Sequence, residues 1–122
     1  MKIKSYKDLD IWKRSIKLVE DIYRLTKSFP KEELYGLTSQ MRRAAVSIPS
    51  NIAEGFTRLH DKEYKQFLYI ALGSCSELST QIIIASRLKY FDNNKIEQLL
   101  NEIDEICRMT MSLIKKINSN LS

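Results

Sequence analysis

Turn-forming residues are scarce in this sequence. Its 122 residues include 3 glycines and 2 prolines, too few to punctuate the many short strands of a sandwich or barrel. Histidine occurs once, as His60 at a helix break, where a cap or surface role is expected. No Glu-x-x-His pair is present, which excludes the carboxylate-bridged di-metal bundle. HExxH, CxxC, P-loop and GxGxxG patterns are also missing. Serine, threonine and lysine are common, but none has an adjacent base to make it a nucleophile. No cofactor, metal or catalytic residue is therefore predicted.

Other absences bear on location. The apolar runs FLYIAL and IIIAS fall far short of the ~20 residues of a membrane span. Met1 is followed by charged residues, without the apolar run and cleavage site of a signal peptide. A cytoplasmic protein that does not enter a membrane is expected. Cys75 and Cys107 lack metal-type spacing and fall on apolar stripes, so they read as reduced core thiols. Placed at similar heights on two helices, they are expected to be close but unbonded.

What the sequence does contain is helical periodicity. A first helix spans about Leu9 to Ser28. Ile11, Ser15, Leu18, Ile22, Leu25 and Phe29 form one row, and Leu9, Trp12, Ile16, Val19 and Tyr23 an adjacent one. A face this wide predicts contact with the core and with another copy of the chain. A second helix starts at Pro30, with Glu32 and Glu33 in its first turn. Gly36 is a candidate break in it. It runs through Leu37, Met41, Ala45, Ile48 and Ile52 to about Arg58. Pro49 removes a backbone donor inside it and predicts a kink, with Ser47, Ser50 and Asn51 available to the freed backbone. A third helix covers about Asp61 to Tyr90, along Leu68, Ala71, Cys75, Leu78 and Ile82. Asn94 and Glu97 suggest a capping box for a fourth, carrying Ile96, Ile103, Ile106 and Ile117. Short connections force antiparallel neighbours. The fold predicted is all-α: one domain over residues 1–122, an antiparallel up-down-up-down four-helix bundle with helix two kinked at Pro49.

A polar row runs beside the apolar one on helix two: Gln40, Arg43, Ser47, Asn51, Glu54 and Arg58. Helix three answers with Ser74, Glu77 and Gln81 inside an otherwise apolar row. Buried ions require partners, so Glu77 is expected to meet Arg43, with Gln40, Ser47, Asn51, Ser74 and Gln81 completing hydrogen bonds. Glu54 is expected to pair with Arg58 or with a neighbouring chain. Such a network fixes register more often than it catalyses. Gly55 and Gly73 are expected to permit close helix approach. On helix four, Glu102, Asp104 and Glu105 raise the remote alternative of a magnesium-dependent nucleotide hydrolase. They avoid the apolar row, which favours a solvated face.

Charge is uneven. The net charge is +5, and residues 1–60 hold all of it, with 12 Lys+Arg against 7 Asp+Glu. The candidate polyanion-binding residues are Lys13, Arg14, Lys17, Arg24 and Lys27 on helix one, with Arg42 and Arg58 on helix two.

The stretch from LDIWKRSIKLVEDIY through GLTSQMRRAAVSIPSNIAEG, continued by FLYIALGSCSELSTQI, resembles the four-helix bundle proteins encoded in 23S rRNA intervening sequences. The resemblance covers nearly the whole chain, with Gly36 to Gly55 its most specific part. It is also similar to the accessory protein of diversity-generating retroelements, a basic pentameric barrel that binds nucleic acid and a reverse transcriptase. The resemblance implies a ring-like homopentamer without established enzymatic activity. The family's polar motif maps onto Gln40, Arg42, Arg43, Ser47, Asn51, Glu54, Gly55, Ser74 and Glu77. His60 departs from the serine that usually opens a Ser-x-x-Glu cap leading to Glu63, which weakens the start of helix three. The expected function is non-catalytic, low-specificity binding of RNA or DNA by a homo-oligomer. The alternative is an interaction scaffold for a protein partner.

Overall fold

The computed structural model describes residues 3–121. Four helices carry the chain: α1 (Asp10–Thr26), α2 (Leu37–Thr57), α3 (Asp61–Arg87) and α4 (Ile96–Leu121). Short 3-10 turns at Tyr6–Asp8, Lys31–Glu33 and Asn93–Lys95 precede α1, α2 and α4. The described residues form no strand, so the all-α, four-helix expectation holds.

Each helix buries the row that its spacing marks. Leu18 and Ile22 of α1, Ile48 and Ile52 of α2, Leu68 and Leu78 of α3, and Ile103 and Ile106 of α4 are wholly buried. Fully burying one such side chain contributes about 1.5–3 kcal/mol. Three of the buried hydroxyls are satisfied by bonding back to their own helix. Ser15 donates to the Ile11 carbonyl at 2.6 Å, Thr26 to Ile22 at 2.8 Å and Thr110 to Ile106 at 2.7 Å.

Helix ends depart from the expectation in three places. Pro30 does not start α2; it precedes the 3-10 turn, and α2 begins after Gly36. Glu33 reaches forward instead, its Oε1 accepting from the Leu37 N–H at 3.0 Å. α3 stops at Arg87 because the chain turns left-handed at Lys89, with φ 63°. The Lys89 N–H bonds to Ser86 and the Tyr90 N–H to Ala85, which closes the helix as a Schellman motif. Asn94 forms no capping box among the described residues. Its neighbour Asn93 is the residue held, accepting from the Ser86 hydroxyl at 2.7 Å.

Packing is uneven around the bundle. Of the four helix pairs that pack side by side, α2 and α3 lie closest and α1 and α4 most loosely. Contacts between α2 and α3 run in opposite order along the two helices. Ser47 meets Ser74, while Gly55, later in α2, meets Tyr64, earlier in α3. Gly55 permits this closeness, since a Cβ there would lie 2.9 Å from Phe67 Cβ and 3.1 Å from the Tyr64 carbonyl oxygen. Tyr64 is enclosed by the same approach, and burial pushes its phenol up to about 12. Gly73 corrects the expectation for the second glycine: nothing lies within 4 Å of its Cβ position. Pro49 is buried within α2, which continues through it. Asn51 Nδ2 donates to the Ser47 carbonyl at 2.7 Å, and not to the Ala45 carbonyl that Pro49 leaves without its helical donor.

Two features of α3 bear on what the bundle does. By length and composition it is apolar enough to cross a membrane, which its short unbroken apolar runs conceal. It also supplies the core, yet Ile70, Ile84 and Leu88 are about half exposed, at 50%, 44% and 52%. Against α4, Cys75 is buried and Cys107 half-buried, both as free thiols. The neighbouring Cys107, together with burial, pushes the Cys75 thiol up.

Candidate nucleic-acid interface

The polar seam between α2 and α3 is smaller than its sequence suggests. The Ser47 and Ser74 hydroxyls meet at 2.8 Å, and Asn51 Nδ2 donates to Ser47 Oγ at 2.9 Å. Arg43 and Glu77 form no ion pair among the described residues, and both are exposed. The expected buried pair is thus corrected. Where the two helices press together, small serines fill the contact, and the longer charged side chains extend into water. Water removes the desolvation cost that would force them to pair. Gln40 is exposed as well, whereas Gln81 is buried and its Oε1 has no hydrogen-bond partner among the described residues. Glu54 reaches Arg58 at 3.5 Å. Ser50, Asn51 and Glu54 line a shallow, open hollow of about 490 Å³ with Tyr6 and Phe67, so part of this motif faces outward.

The candidate cations separate into two groups. Arg42 is used structurally: its Nε donates to Thr26 Oγ1 at 2.9 Å, and its guanidinium lies 4.6 Å from the centre of the Tyr23 ring. Arg58 likewise stands over Phe67 at 5.1 Å. Arg14 forms two bonds to the Glu102 carboxylate, each at 3.0 Å, and Glu102 holds its guanidinium pKa above the ordinary value. The remaining four lie free or nearly free on α1. Lys13, Lys17 and Lys27 are exposed and have no ion pair among the described residues. Arg24 has only a 3.6 Å contact with Asp21. Lys13, Lys17 and Arg24 step by four and by seven, so they share one stripe of the helix.

That stripe borders a groove. Arg14, Glu102 and Met109 join α1 to α4, with Glu105 3.8 Å from Arg14. Beyond this junction, toward the α3–α4 turn, the helices leave an opening of about 440 Å³. Leu25, Leu99 and Phe91 form its apolar lining, and Lys17, Arg24 and Lys95 its cationic one. Sequence reading missed Lys95, which sits in a stretch legible only as a helix stop. Its place opposite α1 depends on the turn of the chain. Two of the four carboxylates of α4 are committed: Glu102 to Arg14, and Glu105 to Arg108 and Arg14. Arg108 holds the Glu105 carboxyl below the usual range. No group of three or more His, Cys, Asp or Glu side chains among the described residues is arranged to hold a metal ion.

Residues 7–112 match the family model of the 23S rRNA-intervening sequence proteins. Comparison with curated proteins finds no match. Among solved structures, a protein of unknown function from the S23 ribosomal protein family of Bacteroides thetaiotaomicron aligns with a TM-score of 0.79 at 24% identity. The alignment covers 86% of this chain and 95% of that one. At that identity the likeness establishes the four-helix fold alone.

Proposed function

This chain belongs to the 23S rRNA-intervening sequence protein family, and we propose that it acts by binding, as a homo-oligomer that holds RNA or DNA on its basic surface without catalysis. The observation that carries the reading is the α1 stripe. Lys13, Lys17 and Arg24, with Lys27 beside them, present positive charge that the protein's own carboxylates leave largely uncompensated. Each phosphate neutralised releases counterions, so affinity falls steeply with salt. Contacts to phosphates carry no sequence information, so sequence preference is weak.

Self-association rests on a second observation. Ile16 and Tyr23 of α1, Val46 of α2, and Ile70, Ile84 and Leu88 of α3 are exposed apolar side chains. Another copy is the occupant that covers them at least cost, and a pentameric ring is the assembly proposed. Five chains at +5 each carry +25, which multiplies a weak field.

Filter binding of structured RNA and duplex DNA at low and moderate salt tests the first claim. Retention that falls with salt is expected, and no retention at low salt overturns it. Native mass measurement tests the second, with a species of five 14.3 kDa chains expected. The exposed α3 face favours one other reading, a scaffold for a protein partner. An assembly that forms but retains no nucleic acid would support it.

A further inference from the structure

The α1–α4 groove has features that the surface stripe does not require. Its volume of about 440 Å³ falls within the ~300–1,000 Å³ range of small-ligand sites. Its aromatic lining is held firmly: Phe91 stacks on the buried Phe29, ring centres 6.5 Å apart and planes 13° from parallel. Its cations are available, since Lys17 and Lys95 have no ion pair among the described residues. One of its carboxylates, Glu102, is occupied by Arg14, and Asp21 keeps a loose 3.6 Å contact with Arg24. Asp92 and Gln98 remain on the rim with unused polar groups. Tyr23, which flanks the groove residue Arg24 in sequence, is drawn toward α2 beneath Arg42.

A flat apolar platform, free cations beside it and an acceptor at the rim match one chemical class. We propose that the groove binds a nucleotide unit, its base against Phe91 and Leu99 and its phosphate among Lys17, Arg24 and Lys95. Asp92 accepts from an exocyclic amino group of the base. The unit comes either from a free nucleotide or from an unpaired residue of a strand, and the second source rests on the nucleic-acid reading above.

Calorimetric titration of the full-length protein with adenosine 5′-monophosphate, adenosine and inorganic phosphate tests the site. Saturable binding of the monophosphate is expected, with the two fragments weaker. Lys17→Ala/Lys95→Ala should weaken it about tenfold or more, the value of losing bonds to a charged group. Phe91→Leu, which keeps an apolar core contact, should weaken it about tenfold through lost stacking. Circular dichroism checks that each variant folds. No saturation at millimolar monophosphate without strand binding that depends on Phe91, or saturation unchanged by both variants, overturns the site. A single-stranded oligodeoxyadenylate separates the two readings. Strand binding weakened by Phe91→Leu supports a strand nucleotide in the groove. Monophosphate binding without strand binding rules out a strand nucleotide in the groove and supports a free-nucleotide site. Strand binding indifferent to Phe91→Leu, together with no monophosphate binding, sinks the groove and leaves the cationic surface standing.

Discussion

Arg14 and Glu102 meet through two parallel bonds, Nε to Oε1 and a terminal nitrogen to Oε2, each 3.0 Å, across 88 residues of chain. Their side chains are 37% and 31% exposed, so water screens the pair and limits its value. Arg14→Ala or Glu102→Gln should lower stability by about 1 kcal/mol. A double-mutant cycle by urea unfolding measures the coupling directly. Because Arg14 is already neutralised, its removal should leave the salt slope of nucleic-acid binding unchanged. Lys17→Ala should lower that slope by about 1.

Glycine and its substitutes offer a second test. Gly55→Ala forces a Cβ to within 2.9 Å of Phe67 Cβ and should cost about 1–3 kcal/mol. Gly73→Ala meets nothing within 4 Å and should gain about 0.5–1 kcal/mol from helix propensity. Lys89 occupies a left-handed position at φ 63°, so Lys89→Gly should gain about 1 kcal/mol. Thermal unfolding reads all three. A destabilising Gly73→Ala would mean that another chain packs against that side of α3.

Polar groups at the α2–α3 seam should respond in opposite directions. Ser74→Ala leaves Ser47 without the partner it meets at 2.8 Å and should cost about 1 kcal/mol. Gln81→Leu removes a buried oxygen that has no partner among the described residues and should gain about 1 kcal/mol. Equilibrium denaturation distinguishes the two signs.

Stability should depend on pH through Glu33. Bonds from the Leu37 N–H and the Tyr90 hydroxyl hold its carboxyl below the ordinary 4.5. The folded state therefore binds the proton less readily than the unfolded chain. The gain is present above that value and is lost as pH falls below it. Tyr90 behaves conversely: its bond to Glu33 raises the phenol above 10.0. That contribution is present below this value and lost as pH rises beyond it. Glu33→Gln should flatten both limbs of a stability profile measured by urea unfolding across pH.

Periodicity made the helices and most of the core legible, since Leu18 and Ile22, Ile48 and Ile52, Leu78 and Ile82, and Ile103 and Ile106 each repeat at the spacing that one helix face requires. Boundaries were less legible, because Glu33 caps α2 from outside the helix and Lys89 adopts a conformation that sequence alone assigns to glycine. The pairing of Arg43 with Glu77 failed for a different reason. A row on a helical wheel gives direction, not depth, and Gly55 sets how near α2 comes to α3. The groove was invisible in the sequence. Its lining comes from α1, the α3–α4 turn and the start of α4, and only the closed bundle brings Phe91 and Lys95 opposite Lys17.

The loose meeting of α1 and α4 also orders events during synthesis. The adjoining α2 and α3 can dock as soon as both have left the ribosome, because little chain separates Ser47 from Ser74 and loop closure is cheap. Until α4 follows, the nascent product is a trough whose floor includes Leu18, Leu78 and Ile82. The isoleucines of the last helix, Ile103, Ile106, Ile114 and Ile117, form its cover. A protein deprived of α4 would therefore leave that trough bare, so those four isoleucines are what separates a closed bundle from one prone to aggregate.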